Sequence, residues 1–250
     1  MSPANDEPLG HRLYIALDLP DALAAEALAA ALAPLDVGLK VGLELFGAEG
    51  PALVRRLAAA APVFLDLKFH DIPATVARAV AAATRLGVRL VNLHVSTGEA
   101  AVREAVAARD EAAEEAGVTP PALIGVTVLT SLDGDDLRAV WGPSVAGTRD
   151  PSAEALRLAE HARNWGLDGV VASAREAAAI RAACGDDFLI VTPGIRPAGA
   201  ELGDQKRVLT PAAALEAGAS HLVVGRPVTR ADDPAAACRE LLAAMAAAKV

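Results

Sequence analysis

The sequence predicts a single (β/α)8 barrel, a TIM barrel of the α/β class, on three observations. Short runs of β-forming residues alternate with alanine-rich stretches of helical length, the pattern of parallel βα units, and the runs number eight. The length of 250 residues suits one such barrel, and no linker divides it. Polar and charged residues recur at the carboxyl ends of the runs, where barrels of this kind carry their active sites.

In chain order the expected strands are 13–17, 37–41, 63–67, 89–95, 123–129, 169–172, 188–192 and 221–225. Most are dominated by Val, Ile and Leu, as strands buried on both faces are. The expected helices are 22–33, 48–60, 74–86, 98–116, 153–165, 175–183, 211–217 and a closing 234–248. Alanine favours helix, so its excess supports these helices and says nothing about function. The one long irregular region, 130–150, mixes Gly, Pro and Asp around a short helical piece and suits an active-site loop. Residues 1–11 are polar, contain proline and lack the apolar core of a signal peptide; they are expected to form a flexible arm ahead of a catalytic barrel over 12–250.

Composition narrows the function classes. With 53% hydrophobic residues and only 3% aromatic, a substantial core must be filled by aliphatics and alanine. A net charge of −9, a pI near 5.1 and the lack of any basic run argue against a nucleic-acid partner. Cys184 and Cys238 stand far apart without a Cys-x-x-Cys spacing, so neither a disulfide framework nor a zinc site is expected, and a reduced, cytoplasmic protein is. No segment reaches about eighteen uninterrupted strongly apolar residues, so no membrane span is expected.

The most informative stretch is Phe64-Leu65-Asp66-Leu67-Lys68-Phe69-His70-Asp71-Ile72-Pro73. Successive strand residues point to opposite faces, which sets Asp66 and Lys68 together on one face and Leu65 and Leu67 on the other. Pro73 opens the next helix, so Asp71 belongs to the turn, which returns a second carboxylate towards Lys68. An exposed Asp-x-Lys pair would be worth only about 0–1 kcal/mol, and is the bland alternative. Around the same barrel mouth stand Asp18 after the first strand, Lys40 near the end of the second, His94 near the end of the fourth, Thr130 and Ser131 after the fifth and Ser173 after the sixth. Asp18 could instead cap a helix, and His94 or Ser173 could merely satisfy backbone groups. Pro193-Gly194-Ile195-Arg196 and Gly225-Arg226 close the seventh and eighth units, where barrels often hold phosphate. Glycine lets backbone N–H groups approach an anion, Arg226 supplies a fork of donors, and Gln205 lies in a loop that could close over a ligand.

Several segments taken together, Ile15-Ala16-Leu17-Asp18, Leu39-Lys40-Val41-Gly42, the Phe64–Pro73 stretch, Val126-Thr127-Val128-Leu129-Thr130-Ser131, Val191-Thr192-Pro193-Gly194-Ile195-Arg196-Pro197, Gly203-Asp204-Gln205-Lys206-Arg207 and Val224-Gly225-Arg226-Pro227, closely resemble the orotidine 5′-phosphate decarboxylase family. The resemblance runs from about residue 13 to 242. It departs at Ala74, where the family often has Asn, and at His94-Val95-Ser96-Thr97-Gly98, in place of the family's common His-Ala-x-Gly-Gly. It implies conversion of orotidine monophosphate to UMP and CO2 in pyrimidine synthesis, without metal or organic cofactor. It further implies an alternating Lys40–Asp66–Lys68–Asp71 array with Lys68 as proton donor. Asp18 and Lys40 would contact the ribose, Thr130 the pyrimidine edge, and Pro193, Arg196, Gln205, Gly225 and Arg226 the phosphate or its closing loops. A homodimer is implied as well, in which Asp71, Ile72 and Thr75 reach the neighbouring site.

Two other readings stay open on the residues. Metal-dependent sugar-phosphate decarboxylases and synthases share the barrel and an Asp-x-Lys-x-x-Asp strand, but resemble a magnesium site with a carboxylate where Lys40 stands. A non-catalytic barrel that binds a nucleotide phosphate would keep the fold and lose the chemistry.

Overall fold

The structure, a computed structural model, describes residues 7–142, 150–196 and 209–248. Eight parallel strands pair in sequence order and close into a barrel: β1 (Leu13–Ala16), β2 (Gly38–Gly42), β3 (Val63–Phe69), β4 (Leu90–His94), β5 (Ala122–Val126), β6 (Gly169–Val171), β7 (Leu189–Pro193) and β8 (His221–Val224). Between them run α1 (Ala22–Leu32), α2 (Leu43–Ala58), α3 (Pro73–Thr84), α4 (Glu99–Ala116), α5 (Gly134–Trp141), α6 (Pro151–Asn164), α7 (Ala177–Cys184) and α8 (Pro211–Glu216). The short α9 (Arg226–Thr229) and the long α10 (Pro234–Ala246) follow β8. The (β/α)8 architecture expected from the alternating pattern is therefore the one observed. Among the described residues no helix is long and apolar enough to cross a membrane.

Period-two alternation sorts the strand side chains into two cores. Tyr14, Phe64, Leu90, Ile124, Val191 and Val223 point inward and fill the barrel. Leu65, Val91, Leu123 and Ile190 point outward and pack with helix residues such as Val54, Val76, Val80, Ala105 and Ile180. A β-carbon at Gly38 would lie 2.6 Å from the Tyr14 ring, so this glycine admits the largest residue of the inner layer. The amino-terminal mouth is tied from Glu7 onward: Glu7 Oε2 lies 3.0 Å from His221 Nε2, and its Oε1 lies 3.1 Å from Arg89 Nη2.

Helix ends follow local chemistry. Asp21, Asp133, Asp150, Thr210 and Asp233 cap helices by accepting backbone N–H groups, and Pro73, Pro151, Pro211 and Pro234 occupy first turns. Several boundaries differ from expectation, most by one or two residues. The second helix begins at Leu43 rather than 48 and kinks where Gly50 takes φ 66° ahead of Pro51. The third strand continues through Lys68 to Phe69. The fifth stops at Val126, leaving 127–129 irregular, and α9 replaces the loop expected around Arg226.

Arg181 on α7 braces the chain between units seven and eight. Its Nη1 donates to the carbonyls of Gly185, Asp186 and Phe188 at 2.7, 3.0 and 2.7 Å, and its Nη2 donates to Gly218 O and Ser220 Oγ at 2.9 Å each. No other side chain carries donors in that fork. Arg181→Ala is expected to lower stability by about 2 kcal/mol, or roughly 4–8 °C in Tm. A thermal melt unchanged within about 1 °C would remove the brace.

Candidate active site

Alternation decides which side chains reach the carboxyl mouth of the barrel. Above Phe64 the next inward positions on β3 are Asp66 and Lys68; Lys40 points inward from β2, and Asn92 and His94 follow Leu90 on β4. Lys40 Nζ lies 3.3 Å from Asp66 Oδ2 and 3.3 Å from Asp18 Oδ1, and Lys68 Nζ lies 2.6 Å from Asp66 Oδ1. One carboxylate thus stands between two ammonium groups. Lys40 and Asp66 are buried and Lys68 is half-buried, whereas the Asp18 side chain is 60% exposed. A β-carbon at Gly42 would stand 3.1 Å from Lys40 Nζ, so the glycine leaves room for that ammonium.

Burial by itself would raise the Asp66 carboxyl. The charges of Lys40 and Lys68, with hydrogen bonds from Lys68 and Asn92, outweigh it and hold the group below the usual carboxylate range. Lys68 has φ 52°, a left-handed conformation that costs a residue with a side chain about 1–2 kcal/mol.

A cavity of about 170 Å³ opens over Lys40, Asp66 and Lys68, walled by Phe64, Val126, Val128, Thr130, Val171 and Val223. It adjoins a second cavity of about 420 Å³ that shares Lys40, Pro193 and Val223 and continues past Asp18 to Gly194, Arg196, Gly225, Arg226 and Arg230. Burial and then the nearby Arg226 charge push the Arg196 guanidinium below its ordinary value, so two like charges face one space and favour an anion between them. One end of the combined site is apolar around an ammonium–carboxylate chain, and the other is cationic.

The structure therefore gathers Asp18, Lys40, Asp66, Lys68, Thr130, Pro193, Arg196, Gly225 and Arg226 around one continuous site. It does not bring Asp71 to Lys68 within one chain. Asp71 is exposed, its Oδ1 accepts the Ile72 N–H at 2.7 Å, its carbonyl accepts from Thr97 Oγ1 at 2.8 Å, and among the described residues no ion pair links it to Lys68. Ile72 is 67% exposed, and Thr75 lies half-buried in the first turn of α3. Ser173 serves its own turn, donating its N–H to Glu176 and accepting the Arg175 N–H. Gln205, with Lys206 and Arg207, lies outside the described residues.

The profile described as "Orotidine 5'-phosphate decarboxylase / HUMPS family" matches residues 11–241. The chain belongs to this family. It is 52% identical over 233 residues to the orotidine 5′-phosphate decarboxylase of Moorella thermoacetica, covering 93% of this chain and 91% of that protein. It is 55% identical over 237 residues to the one of Alkalilimnicola ehrlichii, covering 94% and 97%. The crystal structure of orotidine 5′-phosphate decarboxylase from Lactobacillus acidophilus superposes with a TM-score of 0.80 at 36% identity, covering 95% of this chain and all of that one (100%).

In this member of the decarboxylase/HUMPS family, three polar residues of the site escape a reading that follows charge at strand ends. Glu44 lines the cationic cavity from α2 and Arg230 from the residue just past α9, where nothing in a helical pattern marks them. Asn92 is fully buried in mid-strand, two residues before His94 and hence on the same face, a signal that alternation does contain. The rings of His70 and His94 stand 5.3 Å apart. Burial, then the charges of His70 and Lys68, push His94 from 6.5 down to about 4 against the opposing pull of Asp66. The unfolded chain then binds the extra proton first, so the stability from a neutral His94 is complete above pH 6.5 and is lost as pH falls towards 4. The ring resonances of His94, assigned by their loss in His94→Gln, are expected to titrate with a midpoint near pH 4. A midpoint above 6 would contradict the burial and charge described.

Proposed function

We propose that this protein is an orotidine 5′-phosphate decarboxylase, converting orotidine 5′-phosphate to UMP and CO2 in pyrimidine nucleotide synthesis. The observation that carries the reading is the ammonium–carboxylate–ammonium chain of Lys40, Asp66 and Lys68 under a mostly apolar cavity that runs into an arginine-lined one. The reaction breaks the bond between C6 of the pyrimidine and the carboxylate carbon, and the electron pair stays on C6. No neighbouring group of the ring accepts that pair, so stabilisation must come from placed charge. The Lys68 ammonium attracts the developing anion and then transfers a proton to C6, and solvent restores the proton to Lys68.

Asp66 faces the departing carboxylate and, with Lys40 and Asp71, holds Lys68 aimed at C6. At an effective dielectric near 20, one charge contact at about 4 Å is worth roughly 4 kcal/mol. Enzymes commonly remove roughly 8–23 kcal/mol from a barrier. One lysine therefore does part of the work, and binding energy gathered at a remote phosphate supplies more. Arg196, Gly225 and Arg226 take the phosphate together with Pro193 and Gln205, Asp18 and Lys40 take the ribose, and Thr130 takes the pyrimidine edge. Lys40 also separates this reading from the metal-dependent relatives, since its ammonium 3.3 Å from Asp66 repels a cation where theirs would sit.

We infer further that two copies pair, with Asp71, Ile72 and Thr75 completing the neighbouring site. An exposed Ile72 and an Asp71 carboxylate held by its own turn rather than by Lys68 support this pairing.

Purified protein is expected to convert orotidine 5′-phosphate to UMP, followed by ultraviolet absorbance and chromatography, at the same rate with and without chelator. Lys68→Ala should abolish turnover and still bind UMP. Chelator-sensitive conversion, UMP binding without turnover by the native protein, or turnover by Lys68→Ala would each sink part of this reading. Lys68→Ala and Asp71→Asn, each inactive alone, should regain activity when co-expressed, because a mixed dimer holds one intact site. Absence of rescue in an isolated mixed dimer would place Asp71 in its own chain's site.

A further inference from the structure

The strand that carries Asp66 and Lys68 does not form a regular ladder with β4. Leu65 pairs with Val91 and Phe69 pairs with Leu93, so three residues of β3 face one residue of β4, and that residue is Asn92. A bulge of this kind leaves backbone groups without ladder partners. The Asn92 side chain supplies what the ladder lacks: its Oδ1 accepts the Lys68 N–H at 2.8 Å, and its Nδ2 donates to Asp66 Oδ1 at 2.7 Å. The same Asp66 oxygen accepts from Lys68 Nζ at 2.6 Å, which leaves Oδ2 for Lys40 at 3.3 Å.

We propose that Asn92 is a positioning residue that clamps the left-handed backbone of Lys68 and the carboxylate of Asp66 as one unit. The inference rests on the decarboxylase reading for its effect on turnover, and on geometry alone for the clamp. Only an amide of this length offers an acceptor and a donor at the spacing required; a carboxylate lacks the donor and an aliphatic side chain lacks both. The reversed amide would set oxygen against carboxylate and N–H against N–H, so the partners fix its orientation. Asn92 is fully buried, so water does not readily substitute for either bond. Without the clamp the Lys68 N–H loses its partner and its φ of 52° loses its support, and Nζ is no longer aimed at one point beside Asp66.

Asn92→Asp keeps the volume and the acceptor for Lys68 N–H but replaces the donor by a second carboxyl beside Asp66. When protonated, that carboxyl can still donate; when ionised, it repels Asp66. The variant's kcat is therefore expected to fall with rising pH across a range where the native enzyme is flat, while UMP affinity changes less than about threefold. Asn92→Ala is expected to lower kcat by about 10- to 100-fold with UMP binding largely kept. Exchange of the Lys68 amide proton reads the clamp without turnover: slow in the native protein and in Asn92→Asp, fast in Asn92→Ala. A native pH profile in Asn92→Asp, an unchanged kcat in Asn92→Ala, or a Lys68 amide equally protected in all three would overturn the proposal, as would loss of fold in both variants. Native protein that fails to decarboxylate orotidine 5′-phosphate would defeat the decarboxylase reading alone, because amide exchange still decides the clamp.

Discussion

One buried carboxylate compensates two ammonium groups at the mouth of this barrel, and the surrounding architecture is arranged around that shortage of negative charge. Asp66 accepts from Lys68 and Asn92 through one oxygen and meets Lys40 through the other. Buried charges survive only when paired and hydrogen-bonded, and the trio carries a formal excess of one positive charge. Asp18 offsets part of it from an exposed position. The remainder makes the site receptive to an anionic partner. On the proposed reading, the substrate's carboxylate and phosphate and the Asp71 of a second copy all answer that demand.

The scaffold makes the shortage sustainable by refusing the side chains room to relax. Lower in the barrel, Tyr14 fills the space that Gly38 leaves, with Phe64 packed edge-on against it at a centroid distance of 6.0 Å. The charged layer rests on this apolar one and inherits its alternation. β3 bulges between Leu65 and Phe69, and an asparagine side chain rather than backbone holds the strand where it bulges. The placement of the chemistry thus depends on a local break in regular structure, set inside a closed sheet that fixes its surroundings.

The barrel was legible because each strand is a short apolar run between helices rich in alanine, and eight such units admit few other closures. The ends of elements were less legible. Polar residues at 66 and 68 mask the continuation of β3, and the apolar run that ends β2 leads without a break into the first turn of α2 at Leu43, so the chain carries no mark of the boundary there. Lys40, Asp66 and Lys68 could be found because charge is rare inside strands. Asn92 shares their inward face, but a neutral amide within a strand carries no charge to set it apart. Asp71 illustrates a limit of another kind: the turn residues fix its place in the chain, while among the described residues its carboxylate is held by the Ile72 N–H of its own turn.

The arginine-lined cavity sits in a protein whose net charge is −9. A dianionic ligand approaching from bulk solution meets a repulsive envelope, and attraction takes over only near the mouth. At physiological ionic strength the screening length is about 8 Å, so the distant acidic surface fades and the low-dielectric walls of the cleft concentrate the field of Arg196, Arg226 and Lys40 at its entrance. Added salt weakens both influences together. Capture is then governed by the field close to the opening rather than by the net charge of the whole molecule, and added salt weakens that local pull.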